Sequence, residues 1–127
     1  MAKEPRILIV EDDASLRSVF EAFLTQEGFL VEVASNGLEG LAMVNRNQGA
    51  YFVVFTDCEM PGLDGIALIR QAAPEYPSTK FVLMSGVLDP SMREEALDAG
   101  AYETLEKPFK LDLLGSIVEK VREPAQG

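Results

Sequence analysis

Four short polar segments carry side chains that could bind a metal ion or a phosphate group. Each segment directly follows an apolar run of the chain. The segments are Glu11-Asp12-Asp13, Asp57-Cys58-Glu59, Ser85-Gly86 and Lys107-Pro108. Carboxylates repel one another at short range unless a cation intervenes, and Mg²⁺ commonly binds one or two carboxylates together with a phosphate oxygen. If the segments meet in the fold, they predict a Mg²⁺ site beside a phosphate.

Taken one at a time, these residues have simpler explanations. Asp13 is better explained as the N-cap of a helix than as a metal ligand. Asp57 alone would be a loop or capping acid, and Ser85 alone a turn residue. Lys107 alone would be a solvated lysine. Only the combination of Asp57 with the two acids that precede Asp13 favours a metal site.

Composition narrows the possible functions. The chain has 127 residues, a formal net charge of −10, 11 scattered basic residues and no histidine. A negative net charge without a cluster of basic residues argues against direct binding of nucleic acid. No apolar stretch approaches the ~20 residues of a membrane-spanning helix. We expect one cytoplasmic domain over residues 1–127 with a core of about 6–122, and we expect Cys58, the single cysteine, to be a packed side chain.

Five short apolar runs contain little polar alternation, as strands buried on both faces do. They are Arg6–Val10, Leu30–Ala34, Tyr51–Thr56, Phe81–Met84 and a weaker Tyr102–Leu105. Strict alternation of strand and helix predicts an α/β fold with a parallel sheet, because parallel neighbours need crossover helices. The pattern alone leaves the strand order open.

Helical spacing fills the stretches between these runs. The first helix has its apolar stripe over residues 16–24, the second begins after Ser35-Asn36, and the third is capped by Asp64. The fourth begins near Asp89-Pro90, ends at Gly100 and has a thin apolar face. The fifth extends to about residue 122 and leaves a short polar tail.

Four sequence pieces together resemble the receiver domains of bacterial two-component signalling. They are ILIVEDD, VVFTDCEMPGLDG, FVLMSG and LEKPF, in the order and spacing of that family, and the match runs from Arg6 to about Arg122. The resemblance implies a flavodoxin-like (βα)5 fold with a five-stranded parallel sheet in the order 2-1-3-4-5.

The resemblance also implies a role for each site residue. Asp57 would be the phosphoacceptor, and Ser85 and Lys107 would contact the phosphoryl group. Mg²⁺ would be bound by Glu11, Asp12, Asp57 and the backbone carbonyl of Glu59. A histidine kinase or histidine phosphotransfer protein would supply the phosphohistidine, and a downstream protein would bind the face made by helix four, strand five and helix five.

Two features depart from the family pattern. Receivers often carry a switching aromatic three residues before the lysine, where this chain has Thr104. Tyr102 lies two residues earlier, on the same side of the strand by the alternation of side chains. We therefore expect Ser85 to switch together with Tyr102, Thr104 or the backbone of helix four. The second departure concerns Glu59 and Val87, which occupy positions that tune the phosphoryl lifetime in that family.

Two other classes of function compete with a phosphorylated receiver. The first is an interaction domain of the same fold that works without phosphorylation, which the missing aromatic favours and the full set of site residues disfavours. The second is a small-molecule enzyme or flavin carrier. Phosphatases of the haloacid dehalogenase type commonly have a second aspartate two residues after the first, where this chain has Glu59.

Overall fold

A computed structural model of the chain describes residues 6–122. The five strands are β1 (Arg6–Val10), β2 (Leu30–Ala34), β3 (Val53–Asp57), β4 (Lys80–Ser85) and β5 (Glu103–Glu106). The five helices are α1 (Ala14–Gln26), α2 (Gly37–Asn47), α3 (Gly65–Ala72), α4 (Pro90–Ala99) and α5 (Asp112–Arg122). Every predicted strand and helix is present. The predicted polar tail after residue 122 lies outside the described residues.

The five strands form one parallel sheet in the order β2-β1-β3-β4-β5, as the resemblance implied. Three strands differ from their predicted bounds. β3 is Val53–Asp57 rather than Tyr51–Thr56, β4 is Lys80–Ser85 rather than Phe81–Met84, and β5 is Glu103–Glu106 rather than Tyr102–Leu105. The pairing of β3 with β1 begins at Val53 and that of β5 with β4 at Glu103, and apolar composition does not reveal where pairing starts.

Helices cover both faces of the sheet. Leu8 and Val10 of β1 belong to one buried cluster with side chains of α2, α3 and α4. Ile7 and Ile9 belong to a second cluster with side chains of α1 and α5. Burial of alternate residues on opposite faces explains why the strands are continuous apolar runs. Among residues 6–122, no helix is long and apolar enough to cross a lipid bilayer.

Side-chain caps start the helices that flank the polar edge of the sheet. Asp13 accepts a hydrogen bond from the backbone N–H of Leu16 at 2.9 Å, so its predicted capping role is confirmed. Asp64 and Asp89 cap α3 and α4 in the same manner. The thin apolar face of α4 is also confirmed, since Ala96 and Ala99 are its buried residues. These caps satisfy backbone donors that would otherwise lack partners.

Gly65 lets the first turn of α3 press against the end of β3. A Cβ built on Gly65 would lie 2.2 Å from the backbone oxygen of Asp57 and 2.8 Å from Cδ1 of Leu83. The Gly65 N–H also donates to the carbonyl of Cys58 at 2.8 Å. We expect Gly65→Ala to lower the free energy of unfolding by about 2 kcal/mol or more, as overpacking does.

Gly86 supplies the matched control, because a Cβ built there meets nothing within 4 Å. Urea denaturation of the two variants measures the difference. Gly86→Ala should change stability by less than about 0.5 kcal/mol. Equal stability of both variants would contradict the close approach at Gly65.

Candidate functional site

The polar segments converge at the carboxyl edge of the sheet. Because β1 lies beside β3, the acids that follow β1 come close to Asp57, the last residue of β3. Glu11, Asp12 and Asp57 each offer a carboxylate oxygen within 4.8 Å of the others. Glu11 and Asp57 are buried, whereas Asp12 is exposed. The three acids of the predicted metal site therefore form one cluster.

Lys107 connects the two buried acids of this cluster. Its Nζ lies 2.8 Å from Oε1 of Glu11 and 3.2 Å from Oδ1 of Asp57. The Lys107 N–H donates to the carbonyl of Ser85 at 2.8 Å, and the Lys107–Pro108 peptide bond is cis. Burial lowers the pKa of Lys107. Its hydrogen bond to Glu11 and the negative charges of both acids raise the pKa by a larger amount, so the net shift is upward. One ammonium group thus serves two carboxylates.

The carboxyl group of Asp57 has a strongly raised pKa. Burial, followed by the negative charge of Glu11, raises the pKa of Asp57 to about 7, although the charge of Lys107 acts in the opposite direction. The carboxylate accepts a hydrogen bond from the backbone N–H of Cys58 at 3.0 Å on Oδ1. The protein therefore neutralises the negative charge of ionised Asp57 only in part, and a bound cation would neutralise the remainder.

The β1–α1 loop fixes Glu11 from several directions. Oε2 of Glu11 accepts from the backbone N–H of Asp13 at 3.1 Å. Nη1 of Arg17, in α1, donates to the Glu11 carbonyl at 2.8 Å. The sequence analysis did not predict this role of Arg17, because no local pattern shows that its side chain contacts the Glu11 carbonyl. These contacts hold the Glu11 carboxylate toward Lys107.

Ser85 ends β4 with its hydroxyl bonded within its own loop. Its Oγ donates to the carbonyl of Val87 at 2.7 Å and accepts from the Val87 N–H at 3.2 Å. The side chain is fully buried. A phosphoryl group on Asp57 would have to draw this hydroxyl away from Val87 before it could accept a hydrogen bond from Ser85.

Thr104 faces α4, where Nη1 of Arg93 donates to its Oγ1 at 3.0 Å. The prediction that Tyr102 shares this side of the strand is wrong. Tyr102 precedes β5 and packs against the buried cluster that lies between the sheet and α1 and α5. Nζ of Lys120, in α5, lies 5.8 Å from its ring centre. Strand alternation does not apply to a residue outside the strand. Sequence reasoning missed Arg93, since a helix-to-strand contact leaves no local signal.

The two residues after Asp57 differ in exposure. Cys58 is buried, and burial raises the pKa of its thiol to about 11. It is a packed side chain, as predicted, rather than a nucleophile. Glu59 has an exposed side chain, and the use of its backbone carbonyl as a metal ligand stays a prediction.

Known proteins resemble this chain over most of its length. Residues 7–119 match the family described as "Response regulator receiver domain". The C4-dicarboxylate transport transcriptional regulatory protein DctD of Rhizobium meliloti is 31% identical over 97% of the chain, which spans 26% of that protein. Response regulator MprA of Mycobacterium leprae is 37% identical over 86% of the chain, which spans 47% of MprA.

Solved structures give the same result for the fold. The crystal structure of a response regulator receiver domain protein (CheY-like) from Methanospirillum hungatei superposes with a TM-score of 0.87. The two sequences are 31% identical, and the superposition covers 94% of each chain.

Proposed function

Because the chain belongs to the response regulator receiver domain family, we propose that Asp57 accepts a phosphoryl group beside a bound Mg²⁺ ion. The observation that carries this proposal is the contact of Lys107 with a buried Asp57 carboxylate inside an acidic cluster. The chain is a receiver domain of two-component signalling.

The acidic cluster suits a hard cation. Three carboxylate oxygens lie close together, and within residues 6–122 a single ammonium group contacts the two buried acids. Glu11, Asp12, Asp57 and the carbonyl of Glu59 would supply oxygen ligands of the kind that Mg²⁺ selects. When bound, Mg²⁺ would offset negative charge on the acids and on the phosphoryl oxygens.

Phosphoryl transfer to Asp57 requires mainly that the reacting groups are positioned and that negative charge on the phosphoryl oxygens is stabilised. A carboxylate oxygen of Asp57 attacks the phosphorus of a phosphohistidine on a partner protein, so that a P–O bond forms as the P–N bond breaks. The imidazole leaves with the electrons of the P–N bond. Lys107, already 3.2 Å from Asp57, stabilises the phosphoryl oxygens. The domain thus promotes its own phosphorylation, and water later hydrolyses the acyl phosphate.

Incubation with acetyl phosphate and MgCl₂ tests the proposal. Intact-protein mass spectrometry should show one added phosphoryl group with Mg²⁺ and none with excess EDTA, because the acidic cluster repels the donor when no cation is bound. Borohydride reduction followed by peptide mapping should place the modification at Asp57. Unchanged mass, or modification of another residue, would refute the proposal.

Phosphorylation should reorganise the loop after β4. The new group adds three acceptor oxygens and roughly −1.5 to −2 of charge, which draws the Ser85 hydroxyl away from the Val87 carbonyl. We expect large amide chemical-shift changes at Gly86 and Val87 in a ¹H–¹⁵N spectrum of the phosphorylated protein. Ser85→Ala should accept the phosphoryl group but show much smaller changes there. Equal changes in both proteins would exclude Ser85 as the switch.

The partners follow from the same chemistry. A histidine kinase or histidine phosphotransfer protein provides the phosphohistidine, since this chain contains no histidine. The moving loop leads directly into α4, and Arg93 joins α4 to Thr104 of β5. The output signal therefore passes to a downstream protein through the face formed by α4, β5 and α5.

A further inference from the structure

A groove lies between α3 and α4. Its volume is about 620 Å³, within the range of ligand-binding clefts. Cys58 and Glu59 form the end nearest the phosphoacceptor, but Asp57 does not line the groove. The groove therefore adjoins the phosphorylation site at Glu59 but does not include the phosphoacceptor.

The groove has an apolar floor. Met60 and Ile66 are buried along it, and Met92 of α4 is half-buried and packs against the core. Pro61 is exposed at the edge. Methionine side chains are flexible and polarizable and adapt to partners of varied shape. The floor can therefore receive an apolar side chain from a partner.

Acidic side chains form the rim of the groove. Glu59, Asp64 and Glu95 are exposed there, and Arg70 is the single basic residue of the lining. Nη2 of Arg70 lies 3.8 Å from Oε2 of Glu95, and both side chains are more than half exposed. An exposed pair at this distance contributes little, so a cationic group can compete for Glu95. Three carboxylates and one guanidinium give the rim a net negative charge.

The charge of the rim selects among possible occupants. A second copy of the chain would bring a formal charge of −10, and nucleic acid would bring a line of phosphates. Both would be repelled. A segment with apolar side chains on one face and lysine or arginine on the other matches the floor and the rim together. We propose that the α3–α4 groove docks a basic amphipathic helix of a partner protein, whether or not Asp57 is phosphorylated.

A synthetic peptide can test this docking on the unphosphorylated domain. The probe is a helix of about four turns with leucine at the i, i+3, i+4 and i+7 positions and lysine on the opposite face. In a methyl-resolved NMR titration, we expect saturable shifts of the Met60, Ile66 and Met92 methyl groups. The Met43 methyl group, on α2, should change little. A peptide with glutamate in place of lysine should not bind.

Two adjacent glutamates of α4 offer a matched pair of variants. Glu95 lines the groove, whereas Glu94 faces a different part of the surface, and both are exposed. Glu95→Lys should weaken the lysine peptide roughly fivefold, and Glu94→Lys by less than about twofold, because exposed pairs contribute up to ~1 kcal/mol each. Circular dichroism checks that both variants remain folded.

Three results would overturn the docking proposal. The first is absence of saturable shifts at the three groove methyl groups, or shifts centred on another face. The second is equal weakening by the two substitutions, which would mean diffuse attraction to an acidic protein. The third is a dimer through the groove, seen as the same methyl shifts on concentrating the protein alone.

Discussion

Asp57→Asn is expected to abolish Mg²⁺-dependent phosphoryl incorporation, with a loss of at least about 1,000-fold in labelling rate. The amide has nearly the shape of the carboxylate but is a far weaker nucleophile. It also removes one of the three clustered carboxylates. Time-resolved mass spectrometry with acetyl phosphate measures the rate for wild type and variant.

Asp64→Asn is the appropriate control for that experiment. Asp64 lies in the loop that follows Asp57 and caps α3 by accepting a hydrogen bond from the N–H of Ala67 at 2.8 Å. Asparagine caps helices about as well as aspartate, so this variant should be labelled at close to the wild-type rate. Substantial labelling of Asp57→Asn, or equal loss in both variants, would show that Asp57 is not the phosphoacceptor.

Asp57→Asn is also expected to stabilise the metal-free protein at alkaline pH. The folded-state pKa of Asp57 is about 7, against an ordinary value of 3.8. A raised folded-state pKa means that the fold favours the protonated acid, so stability falls as pH rises from the ordinary pKa of 3.8 to the folded-state pKa of about 7, and the loss is complete above that. The full shift corresponds to about 4 kcal/mol at 1.36 kcal/mol per pKa unit. Rearrangement of solvent and side chains reduces the expected gain to about 2 kcal/mol.

Urea denaturation in EDTA at two pH values measures this effect. At pH 8, Asp57→Asn should be more stable than wild type, because it lacks the buried charge near Glu11. At pH 5, where folded wild type is mostly protonated at Asp57, the difference should fall below about 1 kcal/mol. Saturating Mg²⁺ should stabilise wild type at pH 8 more than the variant. A variant that is less stable at pH 8 would contradict the electrostatic account.

The fold itself was largely predictable from local pattern. Continuous apolar runs indicated strands buried on both faces, and the stripe from Leu16 to Leu24 indicated the first helix. Asp13 and Asp64 could be identified as caps because a cap contacts backbone only a few residues away. The strand order came from the resemblance of four motifs to a known family, since alternation of strand and helix is compatible with several orders.

The composition of the site was predictable, but its contacts were not. Glu11 and Lys107 are 96 residues apart and lie 2.8 Å from each other, a pairing that no local pattern reveals. The hydrogen bond of the Ser85 hydroxyl to Val87, the contact of Arg93 with Thr104 and the turn of Tyr102 toward α5 also appeared only in the folded chain. The prediction for Tyr102 failed because it extended strand alternation beyond the end of the strand.

By itself, the sequence determined which segments form strands and helices, which residues cap them and which polar groups follow the strands. These properties depend on residues within a few positions of one another. Tertiary structure alone decided how one ammonium group is shared by two buried acids, and that burial beside Glu11 raises the pKa of Asp57. Charge interactions depend on distance through space and on exclusion of water, and both are set only when the strands pair and the helices cover the sheet.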